Sequence, residues 1–191
     1  MFILRKFIYS TRELSKVQNL AVCAMMLALR IVLGIIGNAT LSFLPLPVVK
    51  IVALIFIPVA ITGYLYGPVC AGIVAGAGDI ISYFLHPTGL GYTPGITLCY
   101  VIEGIIYGLC LYKSDLRIRD LIITKLLDLA ICTLTLQSLI MKLLFFQEYD
   151  FYIILLWRAA VLVPFAILEI LIFYYMKPLL KRVNEMSHKK Y

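Results

Sequence analysis

The sequence predicts an all-α integral membrane protein, a single domain of six transmembrane helices. Three observations carry that prediction. The chain of 191 residues is 63% hydrophobic and only 14% charged, too few charges to coat a water-soluble domain of this size. Its mean hydropathy is +1.01, and apolar runs recur along it, each of about 20 residues and so able to cross roughly 30 Å of hydrocarbon. The 17 Lys and Arg gather mostly at the two ends and around one internal connection. A net charge of +7 distributed in this way reads as anchoring to anionic lipid headgroups and excludes a nucleic-acid surface.

Taken in order, residues 1–16, MFILRKFIYSTRELSK, mix Phe and Ile with Arg and Lys and read as an interfacial helix retained in the mature protein. The spans are expected at Val17 to Gly37, Val48 to Tyr66, Pro68 to Leu85, Pro94 to Tyr112, Leu121 to Phe146 and Phe151 to Met176. Only Gly67 and Pro68 separate the second from the third, which makes them a tight helical hairpin. Residues 177–191 form a basic tail. Arg5, Lys6, Arg12 and Lys16 precede the first span, Lys113, Arg117, Arg119 and Lys125 surround the connection after the fourth, and Lys177, Lys181, Arg182, Lys189 and Lys190 follow the sixth. An even number of spans puts all three groups on one side of a cell membrane, with both termini cytoplasmic.

Four cations remain, Arg30, Lys50, Lys142 and Arg158. Intramembrane charges are costly and face a bundle interior or an aqueous cavity, so these four ask for an anion. Arg30 lies about 20 Å along the first span and Arg158 about 10 Å down the sixth from the other side, which puts both about 10 Å below the outer boundary. Asp79 and Glu103 fall about 12 to 15 Å below the same boundary. The cluster predicts an outward-facing pocket, with Thr133, Gln137 and Ser138 adding hydrogen-bonding groups from the fifth span. The plainer alternative makes Arg30 and Arg158 structural ion pairs with Asp79 and Glu103.

Ala21, Ala24 and Ala28 recur at i, i+3 and i+7 of the first span, a stripe along which another helix backbone can approach closely. Arg30 is two residues beyond Ala28, about 200° around the helix, so the substrate face and the partner face are opposite. The alternative is that the stripe packs within the chain itself. Gly72, Gly76 and Asp79 share one side of the third span, placing Asp79 on a close-packed face.

The chain carries no GxxxxGK[ST] loop, metal motif or nucleophile elbow, so it is expected to be no enzyme and to need no cofactor or metal. Five single cysteines inside apolar runs read as packing residues. Any uphill transport then needs a separate motor.

The segments AMMLALRIVLG (24–34), IPVAITGYLYGPVCAGIVAGAGD (57–79), HPTGLGYTPGITL (86–98) and EGIIYGL (103–109), with Trp157 and Arg158, give the chain a recognisable pattern. It resembles the substrate-binding S components of energy-coupling factor (ECF) vitamin transporters, most closely the folate-specific branch. The resemblance implies that Ala24 and Ala28 contact a membrane-embedded coupling protein that rides on two cytoplasmic ATPases. It also implies that the chain captures its vitamin outside and topples within the membrane to release it inside. Arg30, Tyr92 and Pro94 fall on family-like positions near the site. Folate suits this chemistry, with Arg30, Arg158 and Lys50 for its carboxylates, Asp79 or Glu103 for its pterin, and Tyr83 and Tyr92 to stack on the ring. The competing expectations are an S component for another small anionic nutrient, and a membrane scaffold or sensor that transports nothing.

Overall fold

A computed structural model of the chain describes residues 2–41, 55–87, 91–144, 147–148 and 150–188. All regular structure among them is helical: α1 (Phe2–Leu14), α2 (Val17–Leu41), α3 (Phe56–Tyr66), α4 (Pro68–Leu85), α5 (Pro94–Leu111), α6 (Ile118–Asp128), a π-helical segment (Leu129–Leu136), α7 (Gln137–Leu144) and α8 (Phe151–His188). Five stretches of these helices are long and apolar enough to cross a membrane, Val17–Ile36, Pro68–Leu85, Pro94–Leu111, Ile118–Leu144 and Phe151–Val183. Each overlaps an expected span. The remaining one, expected from Val48 to Tyr66, is represented by the short apolar α3, and positions 48–54 lie outside the described residues. The last helix runs past the expected Met176 because the basic sequence after Pro178 is itself a good helix former.

The tightest pairing in the bundle is α4 against α5, with α2 and α3 packed on α4. Small residues make this possible: a Cβ on Gly104 would fall 2.5 Å from the Ala71 carbonyl oxygen. Val59, Ala60, Tyr64, Cys70, Ala71, Val74, Ala75, Tyr107 and Leu111 form the core around that contact. Met25, Leu98, Leu126, Leu143, Leu156 and Tyr175 lie on the outer surface, where the solvent is lipid. The five cysteines are free thiols, four of them buried.

Between α3 and α4 the chain turns at Gly67 with φ +88°, a conformation that favours glycine, and Pro68 starts the next helix at N1. Ser10 of α1 closes this turn. Its hydroxyl donates to the Tyr66 carbonyl at 2.7 Å and accepts from the Val69 amide at 3.1 Å, so it satisfies an orphan acceptor of one helix and an orphan donor of the next. Lys6 donates to the Leu109 and Tyr112 carbonyls at 2.7 and 3.1 Å, capping the end of α5. The amphipathic N-terminal helix is therefore docked onto the bundle, at the end where the chain also passes from α5 to α6.

Candidate functional site

Arg30 reaches the site because α4 makes room for it. A Cβ on Gly78 would stand 2.6 Å from the Arg30 Cδ, so only glycine at that position lets the guanidinium stem lie flat against α4. Its Nε donates to the Ala75 carbonyl at 3.0 Å, and its Cζ sits 5.0 Å from the centroid of the Tyr100 ring. The side chain is 3% exposed. No carboxylate pairs with it among the described residues.

Arg158 of α8 is equally buried. Its Nη2 donates to the Gln137 Oε1 at 2.8 Å and to the Thr133 carbonyl at 3.0 Å, and its Nη1 meets the Met141 sulfur at 2.9 Å. All its partners are neutral, and its buried Nε has none. Thr133 belongs to the π-helical segment, a rare geometry that recurs at functional sites because it displaces backbone groups from their usual partners. Beside Arg158's partner Gln137, the fully buried Ser138 hydroxyl is also unpartnered.

A second group lies next to this one, built from α4, the start of α5 and the residues before it. Thr97 donates to the Asp79 Oδ2 at 2.8 Å, and Tyr92 lies 3.0 Å from the same threonine oxygen. Since the single threonine proton goes to the carboxylate, the Tyr92 hydroxyl is the donor of the second bond. The Tyr92 ring stands 5.3 Å from Tyr83 and 5.7 Å from Phe84. An acceptor is thus fixed beside three clustered aromatic rings, the pairing that a planar heterocycle with N–H groups requires.

The expected residues fall into distinct places. Arg30 lies against Tyr100, Arg158 is bonded to Gln137, and Asp79, Tyr83 and Tyr92 assemble around Thr97. Lys50 lies outside the described residues. Lys142 is on α7, half-buried. Glu103 is buried on α5 and forms no ion pair among the described residues. Ala21, Ala24 and Ala28 are all exposed while Arg30 is buried. The ion pairs expected as the plainer alternative are not formed.

Sequence reasoning missed Thr97, Tyr100 and Met141, and it misplaced Lys125. That lysine was grouped with a basic connection, yet it is 8% exposed, bonded to Asp128 Oδ2 at 2.9 Å and to the carboxylate of Glu169. The available signal was Lys125 three residues before Asp128, two opposite charges one helical turn apart inside an expected span.

A family model described as the substrate-specific component of ECF transporters matches residues 18–180. The chain belongs to that family. An S component is a substrate-binding subunit and not an enzyme, and the ATPase activity of such a transporter lies in partner subunits. This S component is 35% identical over 118 residues, 59% of its length and 67% of the relative's, to the folate transporter FolT of Clostridium novyi (strain NT). Its fold matches a crystal structure of FolT bound with folic acid at a TM-score of 0.71, with 23% identity, covering 85% of this chain and 94% of that one. The S-component architecture is therefore common to both.

Proposed function

We propose that this S component captures folate, or a closely related anionic vitamin, from outside the cell and passes it inward. The observation that carries the reading is that Arg30 and Arg158 are both buried and neither pairs with a carboxylate among the described residues. Buried guanidinium groups held only by neutral acceptors keep their full charge for a ligand, and a carboxylate suits the planar fork. The folate tail supplies carboxylates for Arg30 and Arg158, with Gln137 orienting Arg158. The pterin lies among Tyr83, Tyr92 and Phe84, and its N–H groups are accepted by Asp79. Thr97 occupies one oxygen of that carboxylate and so aims the other. Similarity to a curated folate transporter supports the same ligand.

In this reading both termini are cytoplasmic and the site opens to the opposite side. Ala21, Ala24 and Ala28 form the face on which a membrane-embedded coupling protein docks, and two cytoplasmic ATPases drive that protein. The exposure of all three alanines on a face away from Arg30 supports the assignment. Ala28→Leu should leave folate binding by the isolated protein intact and prevent recovery of the coupling protein in a co-purification.

Isothermal titration of the detergent-purified chain with folate tests the function. One saturable site is expected. A folded protein that ignores folate and binds a different small anionic nutrient, such as pantothenate, would replace the ligand while keeping the transporter role.

A further inference from the structure

The span made of α6, the π-helical segment and α7 meets α8 at two levels. At one, Lys125 pairs with the carboxylate of Glu169. At the other, Gln137 Oε1 and the Thr133 carbonyl accept from Arg158 Nη2 at 2.8 and 3.0 Å, and the Met141 sulfur lies 2.9 Å from Nη1. On α8, which stays helical through Pro164, Arg158 and Glu169 are eleven residues apart. That is three turns and about 20°, so they share one face. On the facing span Lys125 and Gln137 are twelve residues apart, which an uninterrupted α-helix would separate by about 120°. One of the two would then turn away from α8.

The π-helical segment resolves the mismatch. Its wider winding absorbs about one residue and returns Lys125 and Gln137 to the same face. The surplus has a second effect. The Gln137 amide donates to the Cys132 carbonyl, five residues back, and so passes over the Thr133 carbonyl that a regular α-helix would use. The Ala130 carbonyl of the same segment is met locally, by the Thr135 hydroxyl. The Thr133 carbonyl is met from α8, by Arg158. Gln137 and Thr133 together take both protons of Nη2, which holds the planar guanidinium in one orientation. Its Nε is buried with no partner among the described residues and is left for a ligand.

We propose that the surplus residue in Leu129–Leu136 is a positioning device for the anion site. It presents the Thr133 carbonyl to Arg158 and, with Gln137, fixes the guanidinium so that Nε remains for a ligand carboxylate. Contact with α8 does not require it, because a span one residue shorter would place Lys125 and Gln137 eleven apart on one face of a regular α-helix. The carboxylate as ligand rests on the folate reading above, whereas the holding of Arg158 does not.

Deletion of Ile131, an exposed residue of the segment, tests this in the full chain. The variant should fold with both contacts to α8 kept and an unfolding midpoint at or above that of the wild type. The Gln137 amide then takes the Thr133 carbonyl, and folate affinity should fall about tenfold as Arg158 loses its orientation. Affinity for a pterin lacking the glutamate tail should not change. In Arg158→Ala the same deletion should cost nothing further. A folded deletion variant that binds folate as the wild type does overturns the proposal, as does an equal loss in the Arg158→Ala background. If the deletion prevents folding, the wild type decides. The NMR carbonyl shift of Thr133, read with isotopes on threonine carbonyls and leucine amides and assigned with Leu134→Ile, should move in Arg158→Ala. An unmoved signal overturns the proposal. A folded wild type that binds no folate overturns the folate reading, and the Thr133 shift still decides the positioning.

Discussion

Two groups of buried cations occupy different levels of this bundle and are treated in opposite ways. Lys125 is held between two carboxylates of its own chain, Asp128 and Glu169. Arg30 and Arg158 meet only carbonyls, an amide oxygen, a sulfur and an aromatic face. The first arrangement spends its positive charge on internal cohesion. The second leaves its charge without a carboxylate partner among the described residues. Burial and charge alone would have ranked the two alike, and the identity of the acceptors separates structure from recognition.

The sharpest way to break this comparison is at Lys125. Lys125→Met leaves two carboxylates around a vacated ammonium position and should cost about 3–5 kcal/mol, the usual effect of removing one partner of a buried pair. The loss appears in the midpoint of unfolding in detergent, and Glu169→Gln in the same chain should recover part of it. Arg158→Ala should do the reverse. Its partners Thr133, Gln137 and Met141 are neutral, so the unfolding midpoint moves little, while folate affinity falls by about 2 kcal/mol, roughly 30-fold. A large loss of stability with unchanged affinity would place Arg158 with Lys125. Arg30→Ala should lower the affinity for folate far more than for a pterin lacking the glutamate tail, whereas Asp79→Asn should weaken both.

The smallest effect is expected at Lys6, a third cation held by carbonyls but at the rim of the bundle. Burial, and secondarily the neighbouring charge of Lys113, lower its pKa from 10.5, with Cys110 acting the other way. The unfolded chain then binds this proton more tightly than the folded one, so stability rises with pH between the lowered value and 10.5. The midpoint of unfolding should drift upward through that alkaline window, and Lys6→Met should flatten the drift.

Much of the fold was legible because the bilayer imposes a length on every span and the sequence obeys it. The hairpin at Gly67 and Pro68 followed from two residues whose backbone preferences admit few alternatives. Helical periodicity likewise separated Ala21, Ala24 and Ala28, which are exposed, from Arg30, which is buried. What escaped depended on contacts between distant segments. Nothing in LAICTLTL marks a π-helix, since its wider winding is maintained by neighbours such as Arg158 bonding the Thr133 carbonyl. Lys125 escaped because a lysine seven residues into a helix resembles a headgroup anchor until its carboxylate partners, one of them from α8, come into view.

The two hydrogen bonds between Ser10 and the hairpin carry a consequence for how this protein sits in its bilayer. One hydroxyl replaces the water that a tight turn ordinarily recruits, so the α3–α4 corner is sealed by the chain's own N-terminal segment. A corner that needs no hydration can sink below the headgroups without penalty. The amide of Val69 should then exchange its hydrogen as slowly as the interior of a helix, and a chain shortened before residue 11 should lose that protection first.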